Sequence, residues 1–372
     1  MKITLDRTPE QVELIKAMAS KNRDVAYEAQ TALAEFIGPV LAEVVNTAPT
    51  VSNMFTSLQF NSDESPSIPL DLYHDITDED YIQVWSQSVP GGLPTNQVAP
   101  SQSELKFTTY TLDSALSFDK RYASRSRLDV VSKTFTRMAQ EILLKQEKTS
   151  ASMIMTALAN ATTNSDKHVI RSAQANRFLL SDLNKLFTKA KRINTSWNGG
   201  TPAERRGRGI TDLLVSPEIV EEIRGLAYNP INTQGSNTDI AGTDSMRDAI
   251  FNSAGIPEFY GVSIQEYNEM GVGQKWNKVF DTSAGSISYD DHYSVAGSLT
   301  TFTEADEQIL VGVDLSRESM IRAVATDSES GDEFSLVSDD QFVTRQSKIG
   351  YYGSLEEGRM IIDDRVLLGL IV

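Results

Sequence analysis

The sequence contains no cysteine. Disulfides, thiolate catalysis, cysteine-ligated zinc and iron–sulfur clusters are therefore excluded. Stability has to come from packing alone, so neither a reducing nor an oxidising compartment would alter it. Histidine is scarce: His74, His168 and His292 are the only three, and none falls in an H-E-x-x-H or comparable metal spacing. His74 sits in the acidic string "YHDITDED", which lacks the glycine and regular ligand spacing of a calcium loop and reads as a solvated turn. No apolar run approaches the ~20 residues of a membrane span. The charged, amphipathic opening "MKITLDRTPEQVELIKAMASKNRD" has no apolar core like that of a signal peptide.

Catalytic signatures are missing too. There is no G-x-x-x-x-G-K-[ST] and no G-x-S-x-G elbow. "GVGQKW" (271–276) is superficially similar to a phosphate loop but reads as a plain turn. The pairs Asp290–Asp291 and Asp363–Asp364 are adjacent, and neighbours on a strand point to opposite faces, so neither pair shares one site. No nucleophile, base and oxyanion donor converge in the pattern. The chain reads as a non-enzyme, with no cofactor and no metal.

Positive charge is the minority sign. Lys and Arg number 34 against 51 Asp and Glu, for a net charge of -17. That balance argues against a dedicated nucleic-acid binder. It suits a surface that repels its own copies until a specific interface overrides the repulsion. The imbalance is uneven along the chain. From Leu72 to Leu105 there is no Lys or Arg, while Asp75, Asp78, Glu79, Asp80 and Glu104 are acidic. Lys120, Arg121, Arg125 and Arg127 follow, and Lys133, Arg137, Lys145 and Lys148 come next. An acidic arm and a basic segment in one polypeptide suit a head-to-tail contact between copies, with Trp85 near the arm's centre. Such heterologous contacts generate rings and lattices.

What is present is architecture. With 372 residues the chain can bury a good core, and its size predicts two domains or lobes. "TPEQVELIKAMA" opens a helix with Thr8 as cap and Pro9 at the first position. A second helix is expected over Val25–Val45, broken or kinked at Gly38–Pro39. From Met54 to Asp119 prolines and Gly91–Gly92 punctuate two β-rich flanks. The flank "ELKFTTYTLDSALSFDKR" reads as one long strand with a bulge. The segment predicts a two-stranded excursion with an irregular tip, which is barely stable by itself and has to lean on a neighbour. Leu128, Val131, Phe135, Met138 and Ile142 follow a 3-4-3-4 spacing, predicting an uninterrupted helix over 128–160, roughly 50 Å long. Further helices are expected over "SDLNKLFTKAKRI", capped by Ser181 or Asp182, from Ser216–Pro217 to Gly225, and up to Gly255. Asp327–Asp340 reads as an acidic linker, followed by apolar strands up to Val372.

The order of these parts resembles the major capsid protein of tailed double-stranded DNA bacteriophages, whose shell fold is shared with encapsulins. The likeness is carried by "AEFIGPVLAEVV" (34–45), "LKFTTYTLDSALSFDKR" (105–121), the helix at 128–160, "ITDLLVSPEIVEEIR" (210–224), "AIFNSAGIPEFYGVSI" (249–264) and "SKIGYYGSLEEGRMIIDDRVLLGLIV" (347–372). The resemblance implies an α+β subunit: N-terminal arm helices over 1–50, an extended β-hairpin loop with its flanks over 51–119, a peripheral β-rich lobe with the spine helix over 120–164 and 326–372, and an α/β axial lobe over 165–325. It implies that the terminal strands pack beside the spine helix. It further implies an icosahedral shell of hexamers and pentamers around viral DNA, assembled in the host cytoplasm, with portal and scaffolding proteins as partners and room for a decoration protein. DNA contact is expected to be weak and unspecific, and no membrane is involved. Some members of the family lock the shell with a Lys–Asn isopeptide bond made by a lysine in the extended loop. The tip of this loop has none, which implies a noncovalent shell. The chain opens almost directly on the arm helices, so the expected scaffold is a separate protein. Two alternatives stand beside this reading: an encapsulin-like nanocompartment shell, and a soluble α/β hydrolase or transferase.

Overall fold

The computed structural model describes residues 8–48, 50–69, 104–163, 166–172, 174, 176–197, 209–225, 258–259, 261–289, 300–316, 319–326, 333–339 and 347–372. The chain divides into two compact units. Unit 1 is Met1–Ile68, Leu105–Ser150 and Met320–Met360; unit 2 is Pro69–Glu104, Ala151–Ser319 and Ile361–Val372. In chain order the elements are α1 (Pro9–Met18), α2 (Arg23–Thr47), β1 (Thr56–Asn61), β2 (Ser67–Pro69), β3 (Glu104–Lys106), β4 (Tyr110–Asp119), α3 (Lys120–Ser124), α4 (Leu128–Asn160), β5 (Thr162–Thr163), β6 (Asp166–Lys167) and β7 (Val169–Arg171). There follow α5 (Leu180–Trp197), β8 (Asp212–Val215), α6 (Pro217–Gly225), β9 (Glu258–Phe259), β10 (Val262–Glu266), α7 (Lys275–Ala284), β11 (Ser288–Tyr289) and β12 (Thr300–Thr301). The last are β13 (Ile309–Val313), β14 (Met320–Thr326), β15 (Ser335–Asp339), β16 (Lys348–Ile361) and β17 (Leu367–Ile371).

In unit 1, helices cover one face of a sheet ordered β1-β14-β16-β15, with β4 also paired to β16. Helix α1 starts as its sequence dictates: Thr8 Oγ1 accepts from the Gln11 amide and Pro9 occupies the first turn. Helix α2 does not break at Gly38–Pro39, one of the two outcomes expected there, and runs on to Thr47. Ile37, Gly38 and Leu41 are buried on either side of Pro39, and this buried stripe outweighs the hydrogen bond lost at the proline. The helix lies against β15 at Gly38, where a Cβ would stand in ordinary contact, 3.9 Å from Leu336 Cβ. Helix α4 runs unbroken over 33 residues, and its expected stripe Leu128, Val131, Phe135, Met138 and Ile142 is buried. The Phe135 ring lies 5.4 Å from that of Tyr351 on β16.

The flank read as one long strand is two. Strand β3 ends at Lys106 and β4 starts at Tyr110, because Phe107 turns inward to a buried position between them. Strands β2 and β3 pair as a two-stranded ribbon, so the two flanks do meet; the segment between them, 70–103, lies outside the described residues. Part of the supposed acidic linker is strand β15, where Leu336 packs into the core as Val337 faces out.

Unit 2 is built on the sheet β7-β17-β13-β8-β10-β9, with α5 and α6 packed against it. Helix α5 begins at Leu180, so Ser181 and Asp182 lie inside its first turn instead of capping it. The Asp182 carboxylate is buried, accepts from the Ser172 hydroxyl at 2.7 Å and pairs with Lys185. Every residue of β13 and of β17 is buried, the pattern of strands covered on both faces. Strand β17 runs antiparallel to β13 and parallel to β7. The terminal apolar run is therefore an interior strand of unit 2's sheet, where the resemblance placed it in the peripheral lobe; the terminal strands do lie beside the spine helix as expected, β16 with Tyr351 against Phe135 and β17 with Gly369 against Leu158. Its burial demand is met there by Leu310 on the neighbouring strand and by helix residues such as Leu186 and Ile219. The helix expected up to Gly255 lies outside the described residues.

Candidate assembly surfaces

Of the residues expected at an inter-subunit contact, Asp75, Asp78, Glu79, Asp80 and Trp85 lie outside the described residues, as do His74 and His292. Glu104 is exposed on β3. On the basic side, Asp119 caps the short helix α3: its Oδ1 accepts from the Arg121 amide at 2.9 Å and its Oδ2 pairs with the guanidinium at 2.9 Å. That hydrogen bonding holds the Asp119 carboxyl below its usual range. Arg121 is thus already matched by a carboxylate two residues away, a partner the charge count along the sequence did not reveal. The half-buried Lys120 has a partner too. Arg125 and Arg127 stand exposed at the turn into α4.

The two outer faces of unit 1 differ in charge. On α4, Lys133, Arg137, Gln140 and Leu144 point away from the buried stripe, with Lys145 and Lys148 beside them, and all are exposed. Leu144 keeps 60% of its surface open to solvent. None of the four cations forms an ion pair with a described residue. On the sheet, the β4–β16 register turns Leu112, Leu116, Phe118, Ile349, Tyr351 and Leu355 toward the helices. Alternation then sends Asp113, Asp119, Tyr352 and Glu356 to the other side. Val337 and Asp339 of β15, facing Tyr352 and Gly350, join them. The Tyr352 hydroxyl is hydrogen-bonded to Asp113, which raises its pKa. Lys348 is the one cation in these paired rows, opposite Asp119.

Beneath the sheet lies a group of charges that sequence reading missed. The buried Glu357 carboxylate accepts from Tyr110 Oη at 2.9 Å, Gln146 Nε2 at 2.9 Å and Arg322 Nε at 3.0 Å. It also pairs with both terminal nitrogens of Arg359. Arg359 reaches on to Ser52 Oγ at 2.7 Å, and Arg322 to Asn46 Oδ1 at 3.1 Å. Burial pushes the Tyr110 hydroxyl up to about 12. The set ties α2, β4, α4, β14 and β16 into one joint. It is structural in character: five donors already occupy one carboxylate. The only available signal was the phase of β16, which places Glu357 on the same face as Leu355.

Unit 2 holds the one described histidine. His168 is fully buried, with Nδ1 3.1 Å from the Asp364 carbonyl and 3.0 Å from the Leu367 carbonyl, and Nε2 2.8 Å from Thr163 Oγ1. Burial lowers its pKa against the pull of Asp364. Asp363 caps the 3-10 turn 364–366 and pairs with Arg365, while Asp364 Oδ2 accepts from the Thr162 amide. This pair is therefore structural. At "GVGQKW", Gly271 and Gly273 adopt positive φ in a turn before α7, and a carboxylate oxygen of Glu218 lies 2.9 Å from where a Gly271 Cβ would stand. An acid at that spot opposes a phosphate. Among the described residues no cluster of His, Asp or Glu could hold a metal, and no helix is long and apolar enough to cross a membrane.

No family model matches the sequence, and no curated protein does. Solved structures do. The capsid of an empty GTA particle superposes with a TM-score of 0.50 at 10% identity, covering 86% of this chain and 88% of that one. The capsid of the cyanophage P-SCSP1u gives 0.48 at 13% identity, covering 85% and 86%. An encapsulin complex from Synechococcus elongatus gives 0.38 at 10% identity, covering 73% and 76%. With its long helix α4, the sheet built on β16 and the α/β unit closed by β17, the chain has the phage capsid shell fold.

Proposed function

We propose that this chain is a major capsid protein that self-assembles, as hexamers and pentamers, into an icosahedral head enclosing double-stranded DNA, and that it catalyses no reaction. The observation that carries the reading is the shell fold it shares with the GTA capsid over most of both chains. The driving force is apolar and polar surface buried at repeated contacts, commonly a few thousand Å² for obligate interfaces. The acidic arm 72–105 meets the basic segment at Arg125 and Arg127 of a neighbour. Residues 72–105 contain no lysine, so the shell is held without cross-links. Portal and scaffolding proteins, and a decoration protein, complete the virion. Electron microscopy of the purified full chain tests this. Closed shells with nuclease-protected DNA and a single subunit band on a denaturing gel are expected. A compact monomer at high concentration overturns the shell, protein cargo in place of DNA overturns the phage assignment, and a ladder of linked subunits overturns the noncovalent wall.

A further inference from the structure

Unit 1 separates its charges. Lys133, Arg137, Lys145 and Lys148 lie exposed along α4, with Glu141 exposed and Glu147 half-buried among them and Asp129 exposed one turn before. At 1.5 Å per residue, Lys133 to Lys148 spans about 22 Å. The sheet face on the other side of the same two layers carries Asp113, Asp119, Asp339 and Glu356 against Lys348 and the Arg121 paired with Asp119. In a chain of net charge -17, an exposed stripe in which cations outnumber acids attracts an anionic partner.

Resting on the shell reading, we propose that the exposed stripe of α4 lines the lumen and touches the phosphate backbone of the packaged duplex, with the acidic sheet face outward. A wall one subunit thick has two broad sides, and unit 1 presents one basic and one acidic. A second copy could reach the stripe with its acidic face only by stacking layer on layer, which a single wall does not do. Duplex DNA carries one charge per ~1.7 Å of axis, so a stripe of this length meets about a dozen phosphates. Lysine tips and one arginine on an open helix face read no base edges, so the contact is independent of sequence. The acidic surroundings confine the attraction to the stripe, and the genome is held loosely enough to leave.

The test uses shells of the unaltered full chain, some carrying duplex DNA and some emptied of it, treated with a small amine-acetylating reagent and mapped by mass spectrometry. The expected result is several-fold slower acetylation of Lys133, Lys145 and Lys148 in filled shells than in emptied ones, with Lys348 equally reactive in both. Equal reactivity of the three in both states overturns the proposal. Protection in both states means that another protein surface covers the stripe around Leu144, which also overturns it. So does labelling of the three in intact shells by an amine reagent too large to enter. Failure to form shells at all is a different result and removes the shell reading first. As a second measurement, K133Q/K145Q/K148Q shells are expected to lose their DNA at a lower temperature than unaltered ones; an unchanged release temperature counts against the contact.

Discussion

The centres of the two units are built on opposite plans. At the middle of unit 2, β13 and β17 are buried at every position, with Leu310, Leu368, Leu370 and Val372 packed against α5 and α6. At the middle of unit 1, a carboxylate and two guanidiniums are buried among Phe, Tyr and Leu, and Arg322 Nη2, Arg359 Nε and Gln146 Oε1 find no partner among the described residues. An apolar sheet is held by area and tolerates small shifts. A buried ion set is held by geometry: removing any member strands a charge, while replacing all of them with apolar groups can be neutral. Unit 1 therefore gains a defined alignment of α2, α4, β4, β14 and β16 at a stability cost that the all-apolar strands β13 and β17 avoid. This fits a unit whose helix and strands must present fixed surfaces to neighbours.

The comparison can be broken most sharply at Glu357. Glu357→Ala leaves two buried guanidiniums without their carboxylate and is expected to destabilise unit 1 by about 3–5 kcal/mol. Hydrogen exchange on the unassembled full chain should show β4, β14 and β16 opening while β13 and β17 stay protected. The triple change E357L/R322M/R359M should recover most of that loss; if it does not, the joint is doing more than neutralising itself. In unit 2, Leu370→Ala is expected to cost about 2–4 kcal/mol through a cavity, read as a lower denaturation midpoint with loss of protection confined to β7, β13 and β17. Loss spreading to β16 would contradict independent cores. The smallest effect concerns His168. Its folded pKa lies below the ordinary value near 6.5, so the unfolded state binds the proton more readily. Stability is therefore full above that ordinary value, falls as pH drops through it, and stops falling below the folded pKa. His168→Gln should flatten this part of the stability profile between pH 7.5 and 5; an unchanged slope would show that other groups, Asp364 and Lys189 among them, set it.

The sequence by itself settled the local elements. The Thr8–Pro9 start of α1, the 3-4-3-4 stripe of α4 and the start of α6 near Ser216–Pro217 are written in caps and periodicity, which act over one or two turns. It also made plain that the last residues form a buried strand, since six nearly unbroken apolar positions have no other place to go. Tertiary structure alone decided which sheet that strand would join, because Leu368 and Leu370 fit any apolar slot and β13 merely supplied one. It decided that α2 would run through Pro39, where packing of Ile37 and Leu41 overrides a local penalty. It decided that Glu357, Arg322 and Arg359, scattered over unremarkable strands, would share one joint, since long-range pairing leaves no mark in a single sequence. And it sorted the charges of unit 1 onto opposite faces, a property of helix phase and strand register combined, which no count along the chain contains.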